Sequence, residues 1–418
     1  MRILVIAYAC EPGRGSEPGV GWNIPAVLAE RHDVWVVTRR NNRRPIERFV
    51  GSGDRRPQFV YHDVSWVLPI KKWIGIGPYH YLWQLTARSR VRSLSRRVGF
   101  DVGLHVTLGS LRYPSPLSAV GFPYVLGPAG GAEQASPAFW RQLGVGGALL
   151  ECLRWLSNRL MAADPLVRQT WRRAALILAS SDDSAYFLEG HRANPNIAVE
   201  PSIAVDDAML AEPMGPAEEE GTGPQTDIGS LRILCVGRLV GWKGIHLAVE
   251  AAASAHHRGV PLSLTILGRG PQAGRLLELA HRLGLGERLT IIPALPTLDD
   301  VAALYREHDL LIFPSLHDSG GMAVVEAMAA GIPVVCLAIG GPALSVTSES
   351  GFVIEARSPG RSVSAMVDAI CLLASDADLR RQMGVAGRQR VVDSYTWASR
   401  ARVVERHLRS VTESSRPQ

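Results

Sequence analysis

Twice along this chain the same order recurs: a short apolar run, a loop carrying glycines, a segment of helical periodicity, then another apolar run. The first instance begins with the unbroken apolar stretch from Ile3 to Tyr8. Such a run, without polar alternation, fits a parallel-sheet strand covered on both faces. A loop with Gly13, Gly15, Gly19 and Gly21 follows, then a helix expected near Trp22 to Arg31 and a strand at Asp33 to Thr38. Further strands are expected at Gln58 to Tyr61, Val102 to Val106, Tyr124 to Leu126 and Ala175 to Ala179. The order restarts at Leu231 to Val236, with helix Ile245 to His257, strand Ser263 to Leu267, helix Gln272 to Leu283, strand Leu289 to Ile292, helix Leu298 to Arg306 and strand Leu310 to Phe313.

Strand, crossover helix and parallel strand form the doubly wound unit, so the chain reads as α/β with two Rossmann-like domains. At 418 residues it is too long for one core. The expected domains are 1–210 and 231–390. Residues 211–230, acidic and rich in Gly and Pro with no periodicity, read as a linker. Open sheets of this kind bind ligands in a cleft beyond the carboxyl ends of their strands.

Composition excludes several classes. The chain is 46% apolar and 20% charged, ordinary for a globular enzyme. Its five cysteines form no C-x-x-C pair, which fits neither a disulfide framework nor a zinc site and points to a reducing, cytoplasmic setting. No apolar run reaches the roughly 18 residues of a spanning helix. The stretch Ile3 to Cys10 reads as a buried strand rather than a secretory leader. The net charge of +6 suits anionic lipid or polyanionic sugar and does not by itself imply nucleic acid.

The second half holds three glycine loops, each between a strand and a helix: Gly237 to Gly244, Gly268 to Pro271, and Asp318 to Glu326 leading to Gly331. Glycines there let backbone N–H groups approach an anion, and a helix N-terminus adds partial positive charge. Arg238 and Lys243 add two cations just past a strand end. Together they make a clamp for a diphosphate, whose departure needs charge neutralisation more than protonation. Asp318 lies in the third loop, placed to hydrogen-bond sugar hydroxyls. Glu326 lies about a turn into the helix, placed to hold the two hydroxyls of a ribose.

These loops resemble those of family 4 glycosyltransferases of the GT-B fold. Residues 237–244 match that family's G-R-L-x-x-x-K-G, and residues 318–335 match its E-x7-E and following A-M-A-x-G-x-P-V-V, with Asp318 where the family usually has Glu. The resemblance is strong across 231–355 and weaker in the first half. It implies two facing Rossmann-like domains with a cleft between them, and a last helix, within 391–418, returning to the first domain. It also implies a retaining, metal-independent transfer from a nucleotide diphosphate sugar, with no cofactor, to a sugar or lipid-linked acceptor in surface polysaccharide or glycolipid assembly. By position, Gly237, Arg238, Lys243 and Gly268 would face the diphosphate. Asp318 would contact the donor sugar, Gly320, Gly321 and Met322 would offer backbone N–H groups, and Glu326 would bind the ribose. Asp318, Arg238 and Lys243 are the expected catalytic residues. The first half lacks the histidine many members carry near the position of Ala129; Gly15, Gly19, His105 and Glu133 are the acceptor-side candidates.

Other readings stay open at this level. Gly13, Gly15 and Gly19 form an imperfect dinucleotide fingerprint; the second strand runs into Arg39 and Arg40, which would suit NADP. A phosphorylase would need a lysine for pyridoxal phosphate, and the lysines are Lys71, Lys72 and Lys243. A sugar-nucleotide sensor would share the clamp without turnover. His105 equally fits a satisfied core histidine. Residues 64–100 hold seven Lys or Arg, no acid, and Trp66, Trp73, Tyr79, Tyr81 and Trp83. Residues 140–173 hold six Arg with Trp155 and Trp171. Both segments suit peripheral contact with the anionic inner face of a membrane, or ordinary helices with their aromatics in the core.

Overall fold

The structure, a computed structural model, describes residues 1–49, 56–66, 75–107, 110–206, 208–211 and 230–415. The expected linker 211–230 lies, apart from its end residues, outside the described residues, as do Lys71, Lys72 and Trp73.

Two compact units emerge, one of Met1–Ala132, Trp155–Ala204 and Trp397–Gln418, the other of Glu133–Arg154 and Val205–Thr396. The first is built on strands β1 (Arg2–Ala7), β2 (Asp33–Arg39), β3 (Gln58–His62), β4 (Val102–Thr107), β5 (Tyr124–Ala129), β6 (Leu176–Ala179) and β7 (Ile197–Val199). They pair in parallel in the order β3-β2-β1-β4-β5-β6-β7. The second carries β8 (Leu231–Val236), β9 (Leu262–Leu267), β10 (Leu289–Ile292), β11 (Leu310–Phe313), β12 (Val334–Leu337) and β13 (Gly351–Ile354), parallel in the order β10-β9-β8-β11-β12-β13. Both sheets reverse strand order beside their first strand, which opens a crevice at that switch point. The central strands β4, β5, β11 and β12 are buried throughout, as their apolar runs require.

Two features depart from the sequence reading, and a third decides, for most of the aromatics, between the two readings left open for the basic segments. The first helix spans Ser16–Ala29, so Gly19 and Gly21 lie within it rather than in a loop. The reason is close packing: a Cβ at Gly21 would sit 1.9 Å from the Ala9 carbonyl oxygen, and one at Gly19 would sit 2.2 Å from that of Arg14. Tertiary packing overrides the poor helix propensity of glycine. Second, the stretch expected as one domain at 1–210 gives up Glu133–Arg154 to the second unit. Ala135, Phe139 and Leu143 are buried in that unit's core with Leu239 and Ile245, and His246 Nε2 lies 3.1 Å from Gln142 Oε1. Third, Tyr79 and Trp83 of the basic-aromatic segment and Trp171 of the second segment point into the core, and Tyr81 donates to Asp164 at 2.6 Å. Among the aromatics singled out in those two segments, Trp66 and Trp155 are exposed.

The last helix, Trp397–Ser414, belongs to the first unit, where Trp397, Ala401, Val404, Leu408 and Val411 share a cluster with Val20, Ile24 and Leu28. Polar pairs fix its register: Arg400 to Glu200 at 2.8 Å and His32 to Glu405 at 3.0 Å. Among the described residues no helix is long and apolar enough to cross a membrane.

Candidate functional site

In the second unit the two loops flanking the switch point meet. The loop after β8 carries Gly237 to Gly244, and the loop after β11 carries Asp318 to Gly321. The first is held down by backbone bonds, Leu239 N–H to the Arg269 carbonyl at 2.9 Å and Gly237 N–H to the Leu267 carbonyl at 3.0 Å. Glycine is obligatory where these loops touch: a Cβ at Gly244 would lie 2.0 Å from the Pro314 carbonyl oxygen, just past β11.

Lys243 and Asp318, 75 positions apart, form an ion pair through Nζ and Oδ2. The other carboxylate oxygen, Oδ1, accepts from the amides of Gly320 at 3.1 Å and Gly321 at 2.9 Å. Gly321 takes a left-handed φ of 75° as the N-cap of helix Met322–Ala329, a conformation glycine alone adopts without strain. Burial pushes the Asp318 carboxyl up, but the Lys243 ammonium and the two amides outweigh it and hold the acid below its ordinary range. An ammonium and two amides thus converge on one negative group, at the mouth of a helix whose dipole favours negative charge.

Arg238 is exposed, its guanidinium 5.5 Å above the Trp242 ring. Trp242 stacks on His317 with ring centroids 5.6 Å apart, and His317 Nε2 lies 3.2 Å from Glu151 Oε1. Glu151 also accepts from the Ala135 amide at 3.3 Å. This chain of contacts, not foreseen from the sequence, ties the Glu133–Arg154 segment to the loop bearing Asp318. Its one sequence signal is that Trp242 and His317 each adjoin a residue already singled out.

Glu326, on the first turns of helix Met322–Ala329, accepts a hydrogen bond from the buried Tyr305 hydroxyl at 2.8 Å. Burial raises the Glu326 carboxyl despite that bond. Burial and the adjoining carboxylate hold the Tyr305 phenol well above its usual range, so it stays a donor.

The acceptor-side candidates scatter. Glu133 is buried in the second unit, not the first, beside Gly340, whose added Cβ would be 3.3 Å from the Glu133 Cγ. His105 is buried on β4 within a polar cluster, Nδ1 2.9 Å from Ser115 Oγ and Nε2 3.4 Å from Gln84. Burial lowers its pKa to about 4. Gly15 is exposed at the start of the first helix, and Gly19 is packed within that helix. Arg39, the residue an NADP phosphate would need, donates to the Tyr8 carbonyl at 3.0 Å and lies over the Tyr8 ring at 4.2 Å.

Solved structures share this architecture over nearly the whole chain. A glycosyltransferase from Rickettsia africae matches with a TM-score of 0.63 at 15% identity, covering 99% of each chain. Anabaena HepE in complex with UDP-glucose matches with a TM-score of 0.60 at 17% identity, covering 98% of this chain and 100% of HepE. The fold is GT-B. Residues 224–390 match the family Glycosyl transferases group 1, a span that contains both loops of the site. Among curated proteins, a GDP-mannose-dependent alpha-(1-6)-phosphatidylinositol monomannoside mannosyltransferase of Mycobacterium tuberculosis is 32% identical over 42% of this chain and 47% of its own length. A D-inositol 3-phosphate glycosyltransferase of Salinispora tropica is 34% identical over 39% of this chain and 34% of its own. The chain thus spans less than half the length of these relatives.

Proposed function

We propose that this GT-B protein is a retaining, metal-independent glycosyltransferase that uses a nucleotide diphosphate sugar. The observation that carries the reading is the convergence of Lys243 Nζ and the Gly320 and Gly321 amides at the switch point of the second unit. Arg238 adds a second cation from the loop that carries Lys243. On this reading the diphosphate takes up the Lys243 ammonium and Arg238, Asp318 turns to the donor sugar's hydroxyls, and the Glu326 carboxylate receives the ribose. The bond between the anomeric carbon and the diphosphate oxygen breaks, a bond to the acceptor oxygen forms on the same face, and the acceptor proton passes to the departing diphosphate. The cations neutralise the charge that develops there, an effect worth several kcal/mol in a water-poor site. No cofactor is needed for that step.

Two names support the substrate classes: a structural neighbour is held with UDP-glucose, and a relative is a mannosyltransferase acting on a phosphatidylinositol monomannoside. A lipid-linked or surface-polysaccharide acceptor follows from that analogy.

A thermal-shift screen of nucleotide diphosphate sugars with EDTA present tests the donor side. One sugar nucleotide should raise the melting temperature by several degrees, with the shift lost in Lys243→Ala and in Glu326→Ala. Loss of the shift on adding EDTA would end the metal-free reading. Transfer is then followed with that donor, and NMR of the product reads the anomeric configuration; an inverted product would refute retention. Binding without turnover on any acceptor would leave a sugar-nucleotide sensor in its place.

A further inference from the structure

The helix Gly144–Ala163 is turned inside out. Val145, Leu149, Leu153, Leu156 and Leu160 are 90%, 58%, 52%, 46% and 57% exposed. Steps of four, four, three and four residues place all five on one stripe of an α-helix. The opposite stripe, which turns inward, is the polar one. There Glu151 is buried against His317 and the Ala135 amide, Arg154 donates to the Glu133 carbonyl at 3.1 Å, and Asn158 accepts from Arg112. Polar contacts thus lock the helix by its hydrophilic side and hold its leucines outward. An isolated exposed leucine means little, but four leucines and a valine in register on one helix form a patch that needs a partner.

Charge indicates which partner. Between residues 140 and 173 the acids are Glu151 and Asp164. The first is buried and paired, and the second caps the helix Pro165–Arg173 and accepts from Tyr81. The exposed charge around the stripe is therefore basic: Arg141 just before the helix, and Arg159 on its flank with its guanidinium 4.4 Å above exposed Trp155. An apolar ridge edged by arginines and an aromatic suits the boundary between acyl chains and anionic headgroups. The stripe presents on the order of 500 Å² of surface, short of the ~800 Å² per partner that a stable dimer buries.

We infer that the leucine stripe of helix Gly144–Ala163 is a docking surface for an anionic lipid bilayer. The apolar side chains enter the headgroup boundary, and Arg141 and Arg159 meet the lipid phosphates. The helix is already folded and anchored, so docking carries little cost of ordering. The inference stands apart from the glycosyltransferase reading, since it needs neither donor nor turnover.

The test is flotation of the full chain with vesicles of phosphatidylcholine alone and of phosphatidylcholine mixed with phosphatidylglycerol. Wild type should float with the anionic vesicles. The double variant Leu149→Ser/Leu156→Ser should lower the partition coefficient about 100-fold, roughly tenfold per leucine. Arg141→Glu/Arg159→Glu should abolish the preference for anionic over neutral vesicles. Because all four side chains are exposed, both variants should keep the wild-type melting temperature and nucleotide-sugar shift. Absence of wild type from the anionic vesicles, or equal flotation of the serine variant, would overturn the inference. So would dimerisation in sedimentation velocity that the serine variant removes, since a second copy would then be the occupant. Equal wild-type recovery on neutral vesicles would overturn the role given to the arginines.

Discussion

The glycine loops after β1 and after β8 occupy equivalent places in the two sheets and use their glycines differently. After β1, Gly19 and Gly21 let a helix press against the carbonyls of Arg14 and Ala9, so their freedom is spent on packing. After β8, the glycines bring one loop onto its neighbour and leave Lys243 beside Asp318 and the Gly320 and Gly321 amides. Glycine after a strand therefore does not mark an anion site by itself. Convergence of a cation and two backbone amides on one carboxylate does, and the second unit has it.

The sharpest way to break this contrast is to remove the cation. Lys243→Ala should cost ~100-fold to 1000-fold in kcat/KM, about 3–4 kcal/mol, while Arg39→Ala in the first unit leaves donor affinity unchanged. Steady-state kinetics and the donor-induced thermal shift, run side by side on both variants, check it. Equal losses would mean that the first unit also binds the donor.

Next comes packing. Gly21→Ala forces a methyl to 1.9 Å from the Ala9 oxygen and should destabilise the protein by about 1–3 kcal/mol. Urea unfolding measures the loss, and the nucleotide-sugar affinity of the remaining folded protein should stay at the wild-type value.

A smaller effect concerns acid. The Asp318 carboxyl lies below its ordinary value, so its pairing contributes fully above that value and is lost as pH falls through the depressed one. The wild-type melting temperature should therefore drop more steeply between about pH 5 and pH 2 than that of Asp318→Asn, which retains an acceptor for both amides. Parallel slopes would show that the pair contributes nothing. The smallest effect is expected from Gly15→Ala. No atom lies within 4 Å of the added Cβ, so stability should change by no more than about 0.5 kcal/mol and donor affinity not at all.

The second unit was the more legible from sequence. Strands Leu231–Val236, Leu289–Ile292 and Leu310–Phe313 fall where their apolar runs predict, most plainly the central Leu310–Phe313, which is buried throughout and has no reason to alternate. Lys243 and Asp318 were each singled out by their loops, but nothing in the sequence says that they pair with each other. The first helix was misplaced by six residues at its start, since Pro18 and two glycines argue against a helix unless the backbone they pack on is known. Helix Gly144–Ala163 shows a further limit. Its periodicity reveals a stripe of leucines, and periodicity is silent on which side of a helix the protein covers.

The return of Trp397–Ser414 to the first unit bears on synthesis. Ribosomes deliver the chain from its N-terminus, so the first sheet and helix Ser16–Ala29 emerge long before the helix that covers Val20, Ile24 and Leu28. The whole of Val205–Thr396 must be translated in between, at roughly 5–20 residues per second on the order of ten seconds or more. During that interval the nascent first unit carries an open apolar furrow, a natural landing place for a chaperone. A chain halted before Trp397 keeps that furrow for good, and aggregation should mark such fragments even where the second unit has folded.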